Sequence, residues 1–178
     1  MNILIVFGNN YGMRRCGMPL VGIIASKREV QAIRKEIREK DIEIIEITKE
    51  SVENIKNIKF DEIIILKNIN LSEKEYKYMK EIISKVKYLI FNGDIEISIL
   101  KNIEINKPIK LITFGFNSKS TITISSIKEE KIIVCIQRDI EKVNGEILES
   151  QEKEIIIKTD KKIYNILSVF IINELHNL

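Results

Sequence analysis

The segment "KYLIFNGD" (87–94) is an apolar run that stops abruptly in Asn92, Gly93 and Asp94. An amide and a carboxylate two residues apart at a strand end are suited to holding a nucleotide, because open α/β sheets bind ligands beyond the carboxyl ends of their strands. The same residues also favour a turn, in which Asn and Asp bond to nearby backbone and Gly93 admits positive φ. Arg14 and Arg15 offer a second chemistry. They follow Gly8 and Gly12 in "FGNNYGMRRCGMPLVGIIAS" (7–26), where two guanidinium groups would either contact an anion or simply lie solvated in a polar loop.

Other reactive residue types are sparse. His176 is the one histidine, which excludes multi-histidine metal sites and disfavours a hydrolase triad; no Gly-x-Ser-x-Gly elbow occurs. At the end of the last helix it is expected to favour the negative helix terminus. Cys16 and Cys135 are too few and too far apart for a disulfide framework, and neither has metal-ligand spacing. Cys135, inside "IIVCIQ", reads as core, and Cys16 as a thiol in a polar loop.

The elements that would position these residues are legible from β-branched runs. "ILIVF" (3–7), "LVGIIA" (20–25), "IEIIEI" (42–47), "EIIIL" (62–66), "YLIF" (88–91) and "KLITF" (110–114) read as strands, several apolar on both faces as buried parallel strands must be. Helical stretches alternate with them. "SKRE" (26–29) and "SEKE" (72–75) are capping boxes, the first followed by Val30, Ile33 and Ile37 on one face, the second by Tyr76, Met79 and Ile83. Alternation of this kind predicts a mostly parallel, doubly wound sheet.

After Gly115 the pattern changes. "STITISSI" (120–127), "KIIVCIQ" (131–137) and "EIIIK" (154–158) have short polar connections, including the turn dipeptide Asn144-Gly145, and predict a small antiparallel β appendage. Asp160 is expected to cap a last helix that buries Ile163, Ile166, Leu167, Phe170, Ile171 and Leu175. The reading is one domain over 1–178, with the parallel part at 1–115, the antiparallel part at 116–158 and the closing helix at 159–178.

A net charge of +3 with lysines and glutamates interspersed gives no segregated basic stripe, so no nucleic-acid partner is expected. No apolar stretch approaches the roughly 20 residues of a membrane helix. Met1 leads into a strand-like run without a signal-peptide pattern, which predicts a cytoplasmic protein with no membrane partner.

The order of these pieces resembles the central domain of the Mur ligases, the ATP-dependent amide-forming enzymes of peptidoglycan synthesis. "FDEIIILKNINLS" (60–72) is similar to that family's strand ending in an Asn-containing loop. "YKYMKEIISKVKYLIFNGD" (76–94) is similar to the helix and strand that end in Asn-Ala-Asp-Asp. "KLITFG" (110–115) matches the next strand, and "KKIYNILSVFIINEL" (161–175) resembles the closing helix. The resemblance implies a Rossmann-like fold. It also places residual nucleotide contacts at Asn92 and Asp94, and at Asn165, which falls on the base-contacting asparagine of the closing helix.

The same resemblance shows what has been lost. The family cradles ATP phosphates with Gly-Thr-x-Gly-Lys-Thr/Ser, and after Gly8 and Gly12 no Gly-Lys-Thr follows. The Asp-His that helps to hold magnesium is replaced within "NINLSEKE" (68–75). Lys80 stands near the place of a lysine that many Mur ligases carbamylate, with a solvated helix lysine as the other reading. The expectation is a catalytically degenerate domain, with ATP and Mg lost as cofactors and no catalytic or metal residues. It would be a non-enzymatic binding or regulatory module linked to cell-wall metabolism, with a homo-oligomer or a cell-wall enzyme as partner. Two alternatives remain open: a protein that binds a nucleotide or other anionic small molecule at Asn92, Asp94, Asn165 and the Arg14-Arg15 loop, and an ATP-dependent ligase subunit completed by a partner chain.

Overall fold

The structure, a computed structural model, describes residues 17–38, 40–101, 108–128, 130–157 and 162–178. The strand expected at 3–7, the loop carrying Gly8, Gly12, Arg14, Arg15 and Cys16, and Asp160 lie outside them.

Five strands form the parallel part of the sheet: β1 (Leu20–Ile24), β2 (Glu43–Glu46), β3 (Glu62–Ile65), β4 (Tyr88–Asn92) and β5 (Lys110–Gly115). Their spatial order is β2-β1-β3-β4-β5, with hydrogen-bonded parallel neighbours throughout. β1 and β3 are completely buried, as "LVGII" and "EIII" require when helices cover both faces. Helix α1 (Lys27–Ile37) packs on one face, and the single turn α2 (Val52–Ile55) and helix α3 (Glu73–Ile83) on the other.

Both capping boxes form as expected. Ser26 and Ser72 each accept from the backbone N–H three residues on, and Glu29 and Glu75 each reach back to the cap nitrogen. Val30, Ile33 and Ile37 are buried under α1, and Met79, Ile82 and Ile83 under α3. The turn α2, within "SVENI", was not anticipated from the pattern; its four residues bury only Val52 and Ile55.

The region after β5 continues the same sheet, and its first strand still runs parallel to β5, so antiparallel pairing begins only with the strand after it. β6 (Ile122–Lys128) begins level with the end of β5, Phe114 pairing with Ile122 and Gly115 with Thr123, so the sheet advances past the carboxyl edge of the parallel strands. β7 (Lys131–Ile136) and β10 (Gln151–Ile156) follow antiparallel, and β8 (Ile140–Glu141) with β9 (Ile147–Leu148) makes a separate hairpin in which Gly145 has φ +90°. Three expectations need correction. β10 starts at Gln151 rather than 154, because an edge strand accepts polar residues on its solvent side. Cys135 is half-buried on the outer face of β7, between Thr123 and Glu152, rather than core. The closing helix α4 (Ile163–His176) takes Lys162, not Asp160, as its N-cap, without a side-chain cap bond. α4 buries Ile166, Leu167, Phe170, Ile171 and Leu175 as expected, and Ile172 as well, whereas Ile163, at its first position, is only half-buried.

No described helix is long and apolar enough to cross a membrane.

Candidate functional site

The tip of β4 is built as a brace. Asn92 is buried, and its Oδ1 accepts from the Asp94 N–H at 2.9 Å, closing the Asx turn that its sequence favours. Asp94 accepts three hydrogen bonds: from the N–H groups of Phe116 and Asn117, each at 2.7 Å, and from the Tyr164 hydroxyl at 3.0 Å. The carboxylate therefore ties β4 to the loop after β5 and to the first turn of α4. Gly115, with φ +146°, lies so close that an added Cβ would land on the Asp94 carboxylate. The Phe116 ring meets Tyr164 edge-to-face, centroids 6.1 Å apart. Burial raises the Tyr164 phenol above its ordinary range, and the hydrogen bond to Asp94 adds to this. Behind the tip, Thr113 and Thr121 exchange backbone-to-hydroxyl bonds between β5 and the loop leading into β6. Ser120 Oγ is buried there without a partner.

A second region lies at the same edge, beyond β1 and β3. The connection out of β1 runs through α1 on one face to β2, whereas the connection out of β3 runs through α3 on the other face to β4, on the far side of β3. Connections that leave neighbouring strands in opposite directions open a crevice, which is where doubly wound sheets take ligands. The crevice measures about 370 Å³ and draws on Ala25 and Lys27 after β1, Lys49 and Glu50 after β2, and Lys67 and Asn70 after β3. Among the described residues neither Lys27 nor Lys67 has an ion pair, whereas Lys49 comes within 3.9 Å of Glu75. The first-turn N–H groups of Lys27 and Arg28 likewise meet no described acceptor, because the cap uses only Glu29 N–H and Val30 N–H. Asn68, which also lines the crevice, is committed: its Nδ2 donates to Glu96 O, and its Oδ1 accepts from Ser98 N–H and Ser98 Oγ. Glu46 and Glu50 stand on the β2 side, so the crevice is polarised, positive toward β1 and β3.

The opposite edge of the sheet holds the one histidine. His176 is not a solvated helix-end charge. Its side chain is 5% exposed, and its Nε2 lies 2.7 Å from Oε1 of Glu62, which is fully buried at the start of β3. Burial pushes the Glu62 carboxyl up, with His176 opposing the shift, and Glu62 Oε2 has no partner. Beside this pair Tyr88 donates to Glu141 O at 2.8 Å, and its phenol is pushed up to about 12 by burial and then by the charges of Glu141 and Glu62. Lys87 and Lys110 each place an ammonium 5.4 Å from the Tyr88 ring centre. These groups anchor the end of α4, while Lys110 and Glu141 also line a shallow cavity of about 310 Å³ with Arg138 and Asp139.

The sequence candidates thus separate. Asn92 and Asp94 come together in one brace, to which Tyr164 also belongs; a tyrosine beside Asn165 at a helix start is its one signal in the sequence. Asn165 is on α4 beside them but lines a different groove, shared with β10 and α1. Lys80 is half-buried in the last turn of α3, about 10 Å along the helix from its start at the carboxyl edge. Lys27, Lys67 and Asn70 were missed, because their proximity depends on strand order rather than on any local motif. No group of three or more potential metal ligands occurs among the described residues. Neither a protein-family model nor a curated protein sequence matches the chain.

Proposed function

We propose that the protein is a non-catalytic binding module that takes an anionic small molecule in the crevice beyond β1 and β3. The observation that carries this is the contrast in commitment at the carboxyl edge. Asp94 already accepts from two amides and a phenol, whereas Lys27 and Lys67 line an open crevice without ion-pair partners, and the first two amides of α1 meet no described acceptor. Two ammonium groups and a helix N-terminus together favour phosphate or carboxylate. Charge stabilisation alone does not transfer a phosphoryl group, which also needs a positioned nucleophile and groups that follow the developing charge.

The resemblance of the strand tips and closing helix to the Mur ligase central domain supports a common origin and suggests a nucleotide-linked ligand. A role near cell-wall metabolism, and a partner there or in a second copy of the chain, rest on that resemblance. Calorimetry against pyrophosphate, ADP, ATP and UDP-linked sugars tests the proposal. Heat is expected with a phosphate-bearing ligand and is expected to fall at least tenfold in affinity when Lys27 and Lys67 are both changed to Gln (two lost charge contacts). No heat with any of the four overturns binding, and Mg-dependent ATP hydrolysis that survives purification overturns the non-catalytic half.

A further inference from the structure

The sheet carries a gap beside the first half of β5. β6 pairs with β5 only at Phe114 and Gly115, so its ladder stops short of Lys110, Leu111 and Ile112. After β7 the chain comes back past this stretch. Gln137 N–H donates to Thr121 O at 2.8 Å, and a few residues on the Glu141 carboxylate reaches Lys110 Nζ at 2.7 Å. The cavity of about 310 Å³ lies between these two fastenings, bordered by Leu111 and Ile112 of β5, by Arg138 and Asp139, and by Thr121. None of its lining residues lines the crevice beyond β1 and β3.

The backbone of β5 decides what this cavity offers. Alternate residues of a strand turn their backbone groups toward the same neighbour. Lys110 N–H donates to Lys87 O and Phe114 O accepts from Gly93 N–H, so the even-numbered residues face β4. Thr113 N–H donates the other way, to Thr121 Oγ1. Leu111 therefore turns its N–H and C=O away from β4, toward the gap, and neither meets a described partner. Leu111 and Ile112 point their side chains to opposite faces of the sheet, yet both border the cavity, so the cavity faces the strand edge they share.

An unpaired donor and acceptor on a strand edge are a template for another strand. An open edge offers this along its whole length. The gap is instead closed at Thr121 and at the Lys110–Glu141 pair, which limits what can enter to about the span of three residues. Arg138, which borders it, is exposed and has no ion pair among the described residues. We infer that the gap binds the extended end of a peptide, paired through its backbone to Leu111, with its terminal carboxylate received by Arg138. This is peptide capture by strand addition, at a part of the sheet and with a ligand class distinct from the anion crevice.

Four peptides test this on the full ¹⁵N-labelled chain by amide shifts. They are N-acetyl-Val-Thr-Val with a free carboxylate, the same peptide as a carboxamide, and the acid N-methylated at its second or its third residue. The free acid is expected to bind in the low-millimolar range, with shifts centred on Leu111, Thr121 and Arg138–Glu141. The carboxamide is expected to bind roughly tenfold more weakly, the loss of one charge-assisted hydrogen bond. Amides at alternate positions face β5 in an added strand, so one N-methylated form is expected to lose binding and the other to keep it. In Arg138→Gln the preference for acid over carboxamide is expected to vanish. Leu111→Pro, which removes an N–H turned away from β4, is expected to abolish binding of every peptide. Thermal melts identify a variant that fails to fold, and the N-methylated pair, which needs no variant, then carries the backbone test. Equal binding of acid and carboxamide by the unaltered protein, both methylated forms behaving alike, shifts centred elsewhere, or none up to several millimolar overturns the inference.

Discussion

The two edges of the sheet handle charge in opposite ways. At the amino edge, Glu62 and His176 are withdrawn from water and paired at 2.7 Å, under Tyr88 and its two neighbouring lysines. At the carboxyl edge, Lys27 and Lys67 stand in solvent beside an open crevice, and densely bonded carboxylates, Asp94 and Glu29, serve the backbone around them. A titratable pair that is buried sets what the fold tolerates, since removing one partner leaves the polar atoms of the other unmet. Charge that is exposed and unpaired contributes little to stability and is available to a ligand. Polar residues at the strand ends thus divide into fastening and receiving groups, and the division follows partners rather than residue type.

The largest break in this comparison should come from the amino edge. His176→Ala leaves Glu62 buried without its hydrogen-bond partner and is expected to cost up to about 3 kcal/mol, read as a drop in the urea midpoint at unchanged slope. A loss below about 0.5 kcal/mol, within the range of ordinary surface changes, would mean that the pair is not a fastening. Asp94→Ala should come next. It removes the acceptor of two amides and the Tyr164 hydroxyl, partly compensated by water at this exposed tip, and is expected to cost about 1–2 kcal/mol while leaving anion affinity unchanged. Lost anion binding in that variant would return Asp94 to the receiving side.

Glu62→Gln sharpens the comparison through pH. Burial holds the Glu62 carboxyl above its ordinary value of 4.5. Its contribution to stability is therefore fully present below that value and is lost as pH rises through the raised folded-state pKa. The amide variant does not titrate, so its stability relative to the unaltered protein should improve as pH rises above 4.5 and level off once the raised folded-state pKa is passed, read in urea titrations; a constant difference contradicts the buried, raised carboxyl. The smallest stability effect belongs to the crevice. Lys27→Gln and Lys67→Gln are each expected to shift stability by less than about 0.5 kcal/mol, checked by thermal melts, while weakening anion binding.

Much of the fold is legible from short-range pattern. Capping boxes at Ser26 and Ser72 mark helix starts because the reciprocal bond needs only residues three apart. Buried runs such as "EIII" mark central strands because both faces must be apolar. What escapes is whatever depends on distant partners. His176 reads as a helix-end charge until β3 brings Glu62, 114 residues earlier, against it. Asp94 reads as a ligand contact until Tyr164, 70 residues on, and the loop after β5 close around it. β10 reads as starting three residues too late because Gln151, Glu152 and Lys153 pair on an edge where polarity carries no penalty. The crevice is invisible in the sequence because β1 and β3 become neighbours only through crossovers on opposite faces.

The most direct test is a titration of the ¹⁵N-labelled protein with pyrophosphate, followed amide by amide. The expected result is saturable shifts centred on Ser26–Arg28 and Lys67–Asn70, with Asn92–Asp94 unmoved. Shifts centred on Asn92–Asp94 instead, or none anywhere at millimolar ligand, would contradict the assignment of fastening to β4 and of receiving to the gap between β1 and β3.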